Sequence, residues 1–135
     1  MKVTQISVFL ENRPGRLAYL LRVLSDAKIN LRALSLSDTA DFGIARAIVT
    51  DTAAALQAIT RAGLTAATTE ALRVEVSDVP GALETAIVEP LAEAGVNIEY
   101  MYGYSERPLE RAVIVLKVDN LVKAEQALKG SGARG

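Results

Sequence analysis

Residues 11–17, Glu11-Asn12-Arg13-Pro14-Gly15-Arg16-Leu17, join an apolar strand to an apolar helix and decide how the chain folds. Before this stretch, Ile6, Val8 and Leu10 occupy alternate positions, a period of two that predicts a strand with one buried face. After it, leucines recur at the spacing of a helix with one apolar face: Leu17, Leu20, Leu21 and Leu24. The stretch is therefore predicted to be a strand-to-helix turn.

The residues of this turn have the properties of a helix start. We expect Asn12 to cap the helix and Pro14 to lie in its first turn, where its fixed φ angle fits. Gly15 lets the backbone come close to another group. A helix that starts without a bulky side chain in the way presents N–H groups that an anion can accept.

The same turn occurs a second time. Ser77-Asp78-Val79-Pro80-Gly81-Ala82-Leu83 follows the first copy by 66 residues, and Leu72, Val74 and Val76 match the apolar residues of the first strand. In the first copy a polar turn is predicted at residues 38–43, between the second and third strands. The order βαββαβ results, and the chain is predicted to contain two such units, residues 1–70 and 71–135.

This order predicts an α+β fold made of two ferredoxin-like units, each with two helices on one face of a four-stranded antiparallel sheet. Residues 130–135 have no strand character, so the second unit is expected to lack its last strand or to receive it from elsewhere. Because the copies follow each other without a linker, we expect them to pack as a rigid pair.

An insertion distinguishes the second helix region from the first. Asn97 follows Asn30 by 67 residues rather than 66, and Pro90 lies within the interval that contains the extra residue. Proline removes one helical hydrogen bond and clashes with the preceding turn. We therefore predict a π-bulge or a kink just before Pro90.

Composition excludes several classes of function. The chain has 135 residues, a net charge of −1, and no cysteine or histidine, so disulfides, thiol nucleophiles, histidine-based catalysis and His/Cys metal sites are excluded. Scattered acidic and basic residues form no catalytic motif, and the near-neutral charge argues against nucleic acid or an anionic membrane as partner. We expect a cytoplasmic protein that is not an enzyme and uses no metal or cofactor.

The two turns, each followed by an asparagine before the next strand, resemble the ACT domain. The resemblance is carried by Asn12-Arg13-Pro14-Gly15-Arg16-Leu17 with Ile29-Asn30-Leu31, and by Asp78-Val79-Pro80-Gly81-Ala82-Leu83 with Val96-Asn97-Ile98. It covers residues 3–128 and implies a stand-alone tandem ACT protein. ACT domains are regulatory modules that bind amino acids, so the resemblance implies a non-catalytic amino-acid sensor.

The resemblance also implies that the ligand lies between ACT units, with one unit offering the Pro-Gly loop and a neighbour in the same or another chain offering the rest. A ligand carboxylate suits the N–H groups near Gly15 and Arg16, and its ammonium suits Asn12 and Asn30. Fifteen residues are the candidates: Leu10, Glu11, Asn12, Arg13, Pro14, Gly15, Arg16, Leu17, Ile29, Asn30, Asp78, Val79, Gly81, Ala82 and Asn97.

One departure from the family bears on the ligand. In serine-sensing dehydrogenases the family has a histidine two residues before the loop asparagine, where this chain has Leu10 and, in the second copy, Val76. We therefore expect an amino acid with an apolar side chain rather than serine. Asp78 replaces Asn12 in the second copy, so the two loops are not expected to be equivalent.

Several candidates have a second interpretation. In this interpretation, Asn30 and Asn97 hydrogen-bond to the backbone of the Pro-Gly loop and hold it. The side chains of Arg13 and Arg16 then lie in solvent and do not contact a ligand. The alternative function is a protein–protein interaction scaffold, or a regulatory subunit of an amino-acid-metabolism enzyme, without a ligand of its own.

Three tyrosines share one strand face in the second copy. Tyr100, Tyr102 and Tyr104 alternate along a predicted strand, next to an apolar strand that contains Val113 and Val115. Such a surface is too apolar to be left exposed, which favours an interface between units or chains, with a ligand pocket wall as the alternative. A homodimer is the expected assembly.

Overall fold

The structure, a computed structural model, describes residues 1–38 and 41–135, apart from the side chain of Glu106. The turn predicted at residues 38–43 includes Thr39 and Ala40, which lie outside this description. The chain forms two compact units: an N-terminal unit, Thr4–Thr69, and a C-terminal unit made of Met1–Val3 and Glu70–Gly135. The domain boundaries at residues 70 and 71 stay a prediction.

The N-terminal unit has the predicted ferredoxin-like order. Its elements are β1 (Lys2–Glu11), α1 (Arg16–Asp26), β2 (Leu31–Asp38), β3 (Phe42–Val49), α2 (Thr52–Arg61) and the first part of β4 (Thr65–Ser77). The strands lie in the order β2-β3-β1-β4, and β1 and β2 are each antiparallel to β3. Alternate residues of β1, Ile6, Val8 and Leu10, pack against Leu20 and Leu24 of α1, as the period of two predicted.

The C-terminal unit repeats this arrangement. It contains the second part of β4, a π-helical segment (Glu84–Val88) that continues into α3 (Glu89–Glu93), β5 (Ile98–Arg107), β6 (Arg111–Val118) and α4 (Leu121–Leu128). Its core contains Leu72, Val74 and Val76 of β4 together with Ile87 and Leu91. The α+β class and the two ferredoxin-like units are thus confirmed. A single continuous strand, β4, contributes its first part to the N-terminal unit and its second part to the C-terminal unit.

The first residues of the chain supply the strand that the sequence of the second copy was predicted to lack. The N–H of Arg73 donates to the carbonyl of Met1 at 2.8 Å, and the strand order in this unit is β1-β4-β6-β5. Further along the same side of β4, Glu75 and Arg134 exchange two backbone hydrogen bonds of 2.7 and 2.9 Å. Both ends of the chain therefore satisfy backbone groups of β4 that an edge strand would expose.

The π-helical segment confirms the irregularity predicted before Pro90. The N–H of Glu89 donates to the carbonyl of Glu84, five residues earlier, which accommodates the extra residue. Pro90 has no N–H with which to satisfy the carbonyl of Ala86 four residues earlier. The hydroxyl of Ser131 donates to that carbonyl at 2.7 Å, so residues that follow α4 complete the hydrogen bonding of the helix.

The helices α1 and α3 end in the same way but with different residues. After each helix one residue adopts a left-handed conformation, Lys28 with φ 58° and Gly95 with φ 69°. The next residue then donates to a carbonyl five positions back, Ile29 to Leu24 at 2.9 Å and Val96 to Leu91 at 2.8 Å. This is the Schellman arrangement, in which glycine is favoured because it has no Cβ.

The matched ends predict stability changes of opposite sign. We expect Lys28→Gly to raise the free energy of unfolding by up to about 1 kcal/mol, since it removes a strained side chain, and Gly95→Ala to lower it by about 1 kcal/mol. Urea denaturation of the two variants measures both changes. Changes of the same sign would contradict this account of the helix ends.

Candidate functional site

The first Pro-Gly loop leaves the N-terminus of α1 without a side-chain cap. Gly15, not Asn12, occupies the N-cap position, with φ 88°, so the predicted cap at Asn12 is wrong. The first helical hydrogen bond runs from the N–H of Tyr19 to the carbonyl of Gly15 at 3.0 Å. The N–H groups of Leu17 and Ala18 therefore precede the helical ladder, and that of Arg16 makes only a long contact, 3.4 Å, with the carbonyl of Arg13.

Asn12 lies between the loop and the ends of β2 and β3. Its N–H donates to the carbonyl of Asp41 at 3.1 Å, and its side-chain Nδ2 lies 3.4 Å from the carboxylate of Asp38. The side chain is exposed, and among the described residues its Oδ1 accepts no hydrogen bond. Asn12 thus offers a positioned acceptor beside the helix N-terminus.

The charged residues of the loop are held by their neighbours. The Nε of Arg13 lies 3.0 Å from the carboxylate of Glu11, an exposed ion pair. The guanidinium of Arg16 lies 5.3 Å from the ring centre of Tyr19, within the range of a cation–π contact, and the Tyr19 hydroxyl donates to the carbonyl of Ala62. The Arg16 guanidinium therefore lies over Tyr19, in the first turn of α1.

Two apolar candidates belong to the core instead of the loop surface. Leu10 has 2% of its surface exposed and packs in the core of the N-terminal unit, and Leu17 packs against that core. Pro14 is exposed. Expecting Leu10 to contact a ligand directly is therefore inconsistent with its burial in the unit. Phe42, which pairs with Glu11 across β1 and β3, is 54% exposed, and Tyr19 in the first turn of α1 is 39% exposed.

Ile29 and Asn30 lie at the opposite end of α1 from the loop. The N–H of Asn30 donates to the hydroxyl oxygen of Thr50, and the N–H of Thr50 donates to the carbonyl of Asn30. Asn30 therefore does not hold the loop of its own unit. The side chain of Asn30 is exposed and lines a shallow groove of about 400 Å³. Ile29 is buried in the core and reaches the same groove.

The second loop has the same backbone conformation as the first, but its polar residue makes different hydrogen bonds. Gly81 has φ 84°, and the N–H of Ala82 contacts the carbonyl of Val79 at 3.2 Å. The Oδ2 of Asp78 accepts from the hydroxyl of Ser105 at 2.9 Å and from the N–H of Leu109 at 2.8 Å. Asp78 therefore fastens the β5–β6 turn, in which Leu109 has φ 67°. Among the described residues, the side chain of its counterpart Asn12 makes only the 3.4 Å contact with Asp38.

The surroundings of the second loop are partly filled by residues that follow α4. Val79, Gly81 and Ala82 line a groove of about 310 Å³ together with Ser131. Asn97, like Asn30, lies at the far end of its helix, where its N–H donates to the carboxylate of Asp119 at 3.0 Å. The structure thus brings together the residues of each loop and separates both asparagines from the loops of their own units.

Two of the three tyrosines pair with valines of the neighbouring strand that are buried in the structure. Tyr102 pairs with Val115 and Tyr104 with Val113 between β5 and β6, and the two valines have 1% and 0% of their surface exposed. Tyr104 is 40% exposed, whereas Tyr100 and Tyr102 are half-buried. Val113 and Val115 are thus unavailable to a partner on this surface, and the tyrosines are its accessible part.

Sequence reasoning missed the neighbours of Asn12. Asp38, Asp41 and Phe42 come to the first loop because β1 and β3 pair in the register Glu11↔Phe42. These contacts follow from the register in which β1 and β3 pair. The alternation of apolar residues in the two strands would have allowed that register to be proposed from the sequence.

The family assignment follows from the whole chain. The family model described as "ACT domain pair" matches residues 1–129, which include both Pro-Gly loops. The chain belongs to the ACT domain family. A search of curated proteins finds no match.

Solved structures with the fold of this ACT domain pair include protein BT0572 from Bacteroides thetaiotaomicron. That protein is 36% identical over 98% of this chain and 90% of its own, with a TM-score of 0.90. The ligand-free regulatory subunit of aspartate kinase from Thermus thermophilus is 19% identical, with a TM-score of 0.65 over 93% and 87% of the two chains. The corresponding subunit from Thermus flavus is 20% identical, with a TM-score of 0.65 over 93% and 88%.

Two further properties of the ACT domain pair concern other kinds of site. In the described part of the chain, no helix is long and apolar enough to cross a membrane. Residues 1–38 and 41–135 also contain no group of three or more acidic side chains placed to hold a metal ion.

The different roles of Asp78 and Asn12 predict different costs of removing them. We expect Asp78→Ala to lower the free energy of unfolding by about 1–2 kcal/mol, because it removes an ionised acceptor from two hydrogen bonds in a partly exposed position. Asn12→Ala is the matched control and should change it by less than about 0.5 kcal/mol, since its side chain is exposed and weakly bonded. Chemical denaturation gives both values, and equal costs would contradict the different roles assigned here.

Proposed function

We propose that this ACT domain pair is a non-catalytic amino-acid sensor whose first Pro-Gly loop binds the ligand. The observation that carries the proposal is the uncapped N-terminus of α1 beside Gly15. Its free N–H groups, the positive end of the helix dipole and the guanidinium of Arg16 together suit the carboxylate of an amino acid.

The ammonium of the ligand has partners beside the same loop. The exposed Oδ1 of Asn12 accepts from the ammonium, and the carboxylate of Asp38 adds a nearby negative charge. An apolar ligand side chain is proposed because Leu10 occupies the position of the histidine in serine-sensing dehydrogenases. A ligand with fewer than about ten heavy atoms should bind with about −5 to −8 kcal/mol, a Kd of roughly 10⁻⁴ to 10⁻⁶ M.

A second ACT unit is required if Asn30 contacts the same ligand. Asn30 follows the C-terminal end of α1, and eleven helical residues span about 16 Å at 1.5 Å per residue. An amino acid is too short to bridge that distance within one unit. We therefore propose that a homodimer supplies Asn30 of one copy to the first loop of another, with Ile29 lining the adjacent groove.

We propose that the second loop does not bind an amino acid. Asp78 is engaged by Ser105 and Leu109, and its negative charge would repel a carboxylate placed on the amides of Gly81 and Ala82. Val79 and Asn97 then serve the fold and not a ligand. One site per chain is the expected stoichiometry.

The exposed tyrosines support a further contact of the sensor. Tyr104 with its half-buried neighbours Tyr100 and Tyr102 offers an aromatic surface for a second copy or for an amino-acid-metabolism enzyme that the sensor regulates. A scaffold or regulatory subunit without its own ligand remains the alternative function, and the experiment below distinguishes it from the sensor.

Thermal denaturation in the presence of each of the twenty amino acids tests the sensor. A ligand that binds only the folded state at 100 times its Kd stabilises it by about 2.7 kcal/mol, so we expect a rise in Tm confined to apolar amino acids. A screen without any rise at millimolar concentrations would contradict the sensor and favour the scaffold.

Three glycine variants identify the loop that binds. Gly15, Gly81 and Gly63 all have positive φ angles, 88°, 84° and 81°, and a Cβ added to any of them meets no atom within 4 Å. Each substitution by alanine should therefore cost a similar amount of stability, about 1 kcal/mol. Only Gly15→Ala should abolish the ligand-induced rise in Tm. Gly81→Ala and the control Gly63→Ala should keep it, and loss of the rise in Gly81→Ala alone would contradict the assignment to the first loop.

A further inference from the structure

A polar groove lies in the C-terminal unit, beside the pairing of Arg134 with Glu75 of β4. It has a volume of about 180 Å³ and is lined by Glu75, Val76, Ser77, Arg111, Gly132 and Arg134. Val74 and Val76 point into the core, so Glu75 between them points to the other face of β4. The groove adjoins the groove of the second Pro-Gly loop, with which it shares Ser77 and Gly132.

The centre of the groove is a carboxylate that two arginines share. Glu75 Oε1 lies 3.2 Å from Arg73 Nη1, and Glu75 Oε2 lies 2.7 Å from Arg111 Nη1. The side chain of Glu75 is only 14% exposed, so each oxygen is occupied and largely shielded from water. Glu75 thus fixes the position of both guanidinium groups.

Arg134 adds a third guanidinium. The two backbone hydrogen bonds between Arg134 and Glu75 make them an antiparallel pair, and directly opposed residues project their side chains from the same face. Within the described residues, Arg134 forms no ion pair, and the Glu75 carboxylate opposite it is already paired with Arg73 and Arg111. A positive charge therefore lines the groove without a compensating partner.

We propose that this groove binds a phosphate group, either as the free anion or as part of a phosphorylated small molecule. A phosphate has enough oxygen atoms to accept from two guanidinium groups and a hydroxyl at once, whereas one carboxylate is filled by a single bidentate arginine. Arg111 and Arg134 supply the guanidinium donors, and Ser77 supplies the hydroxyl.

The site is independent of the proposed amino-acid sensor. Its residues lie in the C-terminal unit, whereas the first Pro-Gly loop belongs to the N-terminal unit. Binding of phosphate and binding of an amino acid can therefore be tested separately. A negative result for one does not contradict the other.

Isothermal titration of the full chain with inorganic phosphate, at constant ionic strength, tests the proposal. We expect saturable binding with a Kd of millimolar order or tighter, at least 10-fold weaker for Arg134→Ala and restored in part by Arg134→Lys. Arg22→Ala removes the same charge from an exposed position on α1 and is the matched control, with unchanged affinity. Arg134 is also exposed, so its substitution should leave the fold intact.

The remaining outcomes decide the proposal in either direction. No saturable binding by the natural chain, or equal weakening by Arg22→Ala and Arg134→Ala, would overturn it, because the effect would then reflect overall charge. Competition by a sugar phosphate at lower concentration than inorganic phosphate would support a phosphorylated small molecule. Equal competition by both would support the free anion.

Discussion

A glycine with a positive φ angle at the end of the first strand of each unit is the constraint on which the site depends. Gly15 turns the backbone so that α1 starts without a capping side chain, and Gly81 turns it in the same way in the second copy. An L-residue pays about 1 kcal/mol or more to adopt this conformation. The helix consequently follows the strand while its first amides have no capping side chain.

The two copies keep this backbone and differ in what surrounds it. In the second copy Asp78 fastens a strained turn, the helix contains a π-helical segment, and Ser131 satisfies the carbonyl that Pro90 leaves without a donor. In the first copy Asn12 stays exposed. Both units therefore keep the same fold, whereas the polar residues at corresponding positions differ: Asp78 holds a turn and Asn12 is exposed.

Local features could be predicted from the sequence, and long-range pairing could not. The period of two in β1 and the one-residue insertion near Pro90 are patterns among residues that are close in sequence. The strand, the repeat and the π-helical segment could therefore be predicted from them. The pairing of Met1 with Arg73 joins residues far apart in the chain, and no periodicity encodes it. The position of Asn12 depends on strand register and on how the helix starts, which residue type alone does not determine.

The central claim is that the uncapped amides of α1 bind an amino acid, and amide NMR spectra of the full chain test it most directly. Titration with leucine, isoleucine, valine or phenylalanine should shift the resonances of Gly15, Arg16 and Leu17 with one saturation curve. The amides of Gly81 and Ala82 should stay in place. Shifts confined to the second loop, or no shift in either loop at millimolar ligand, would contradict the claim.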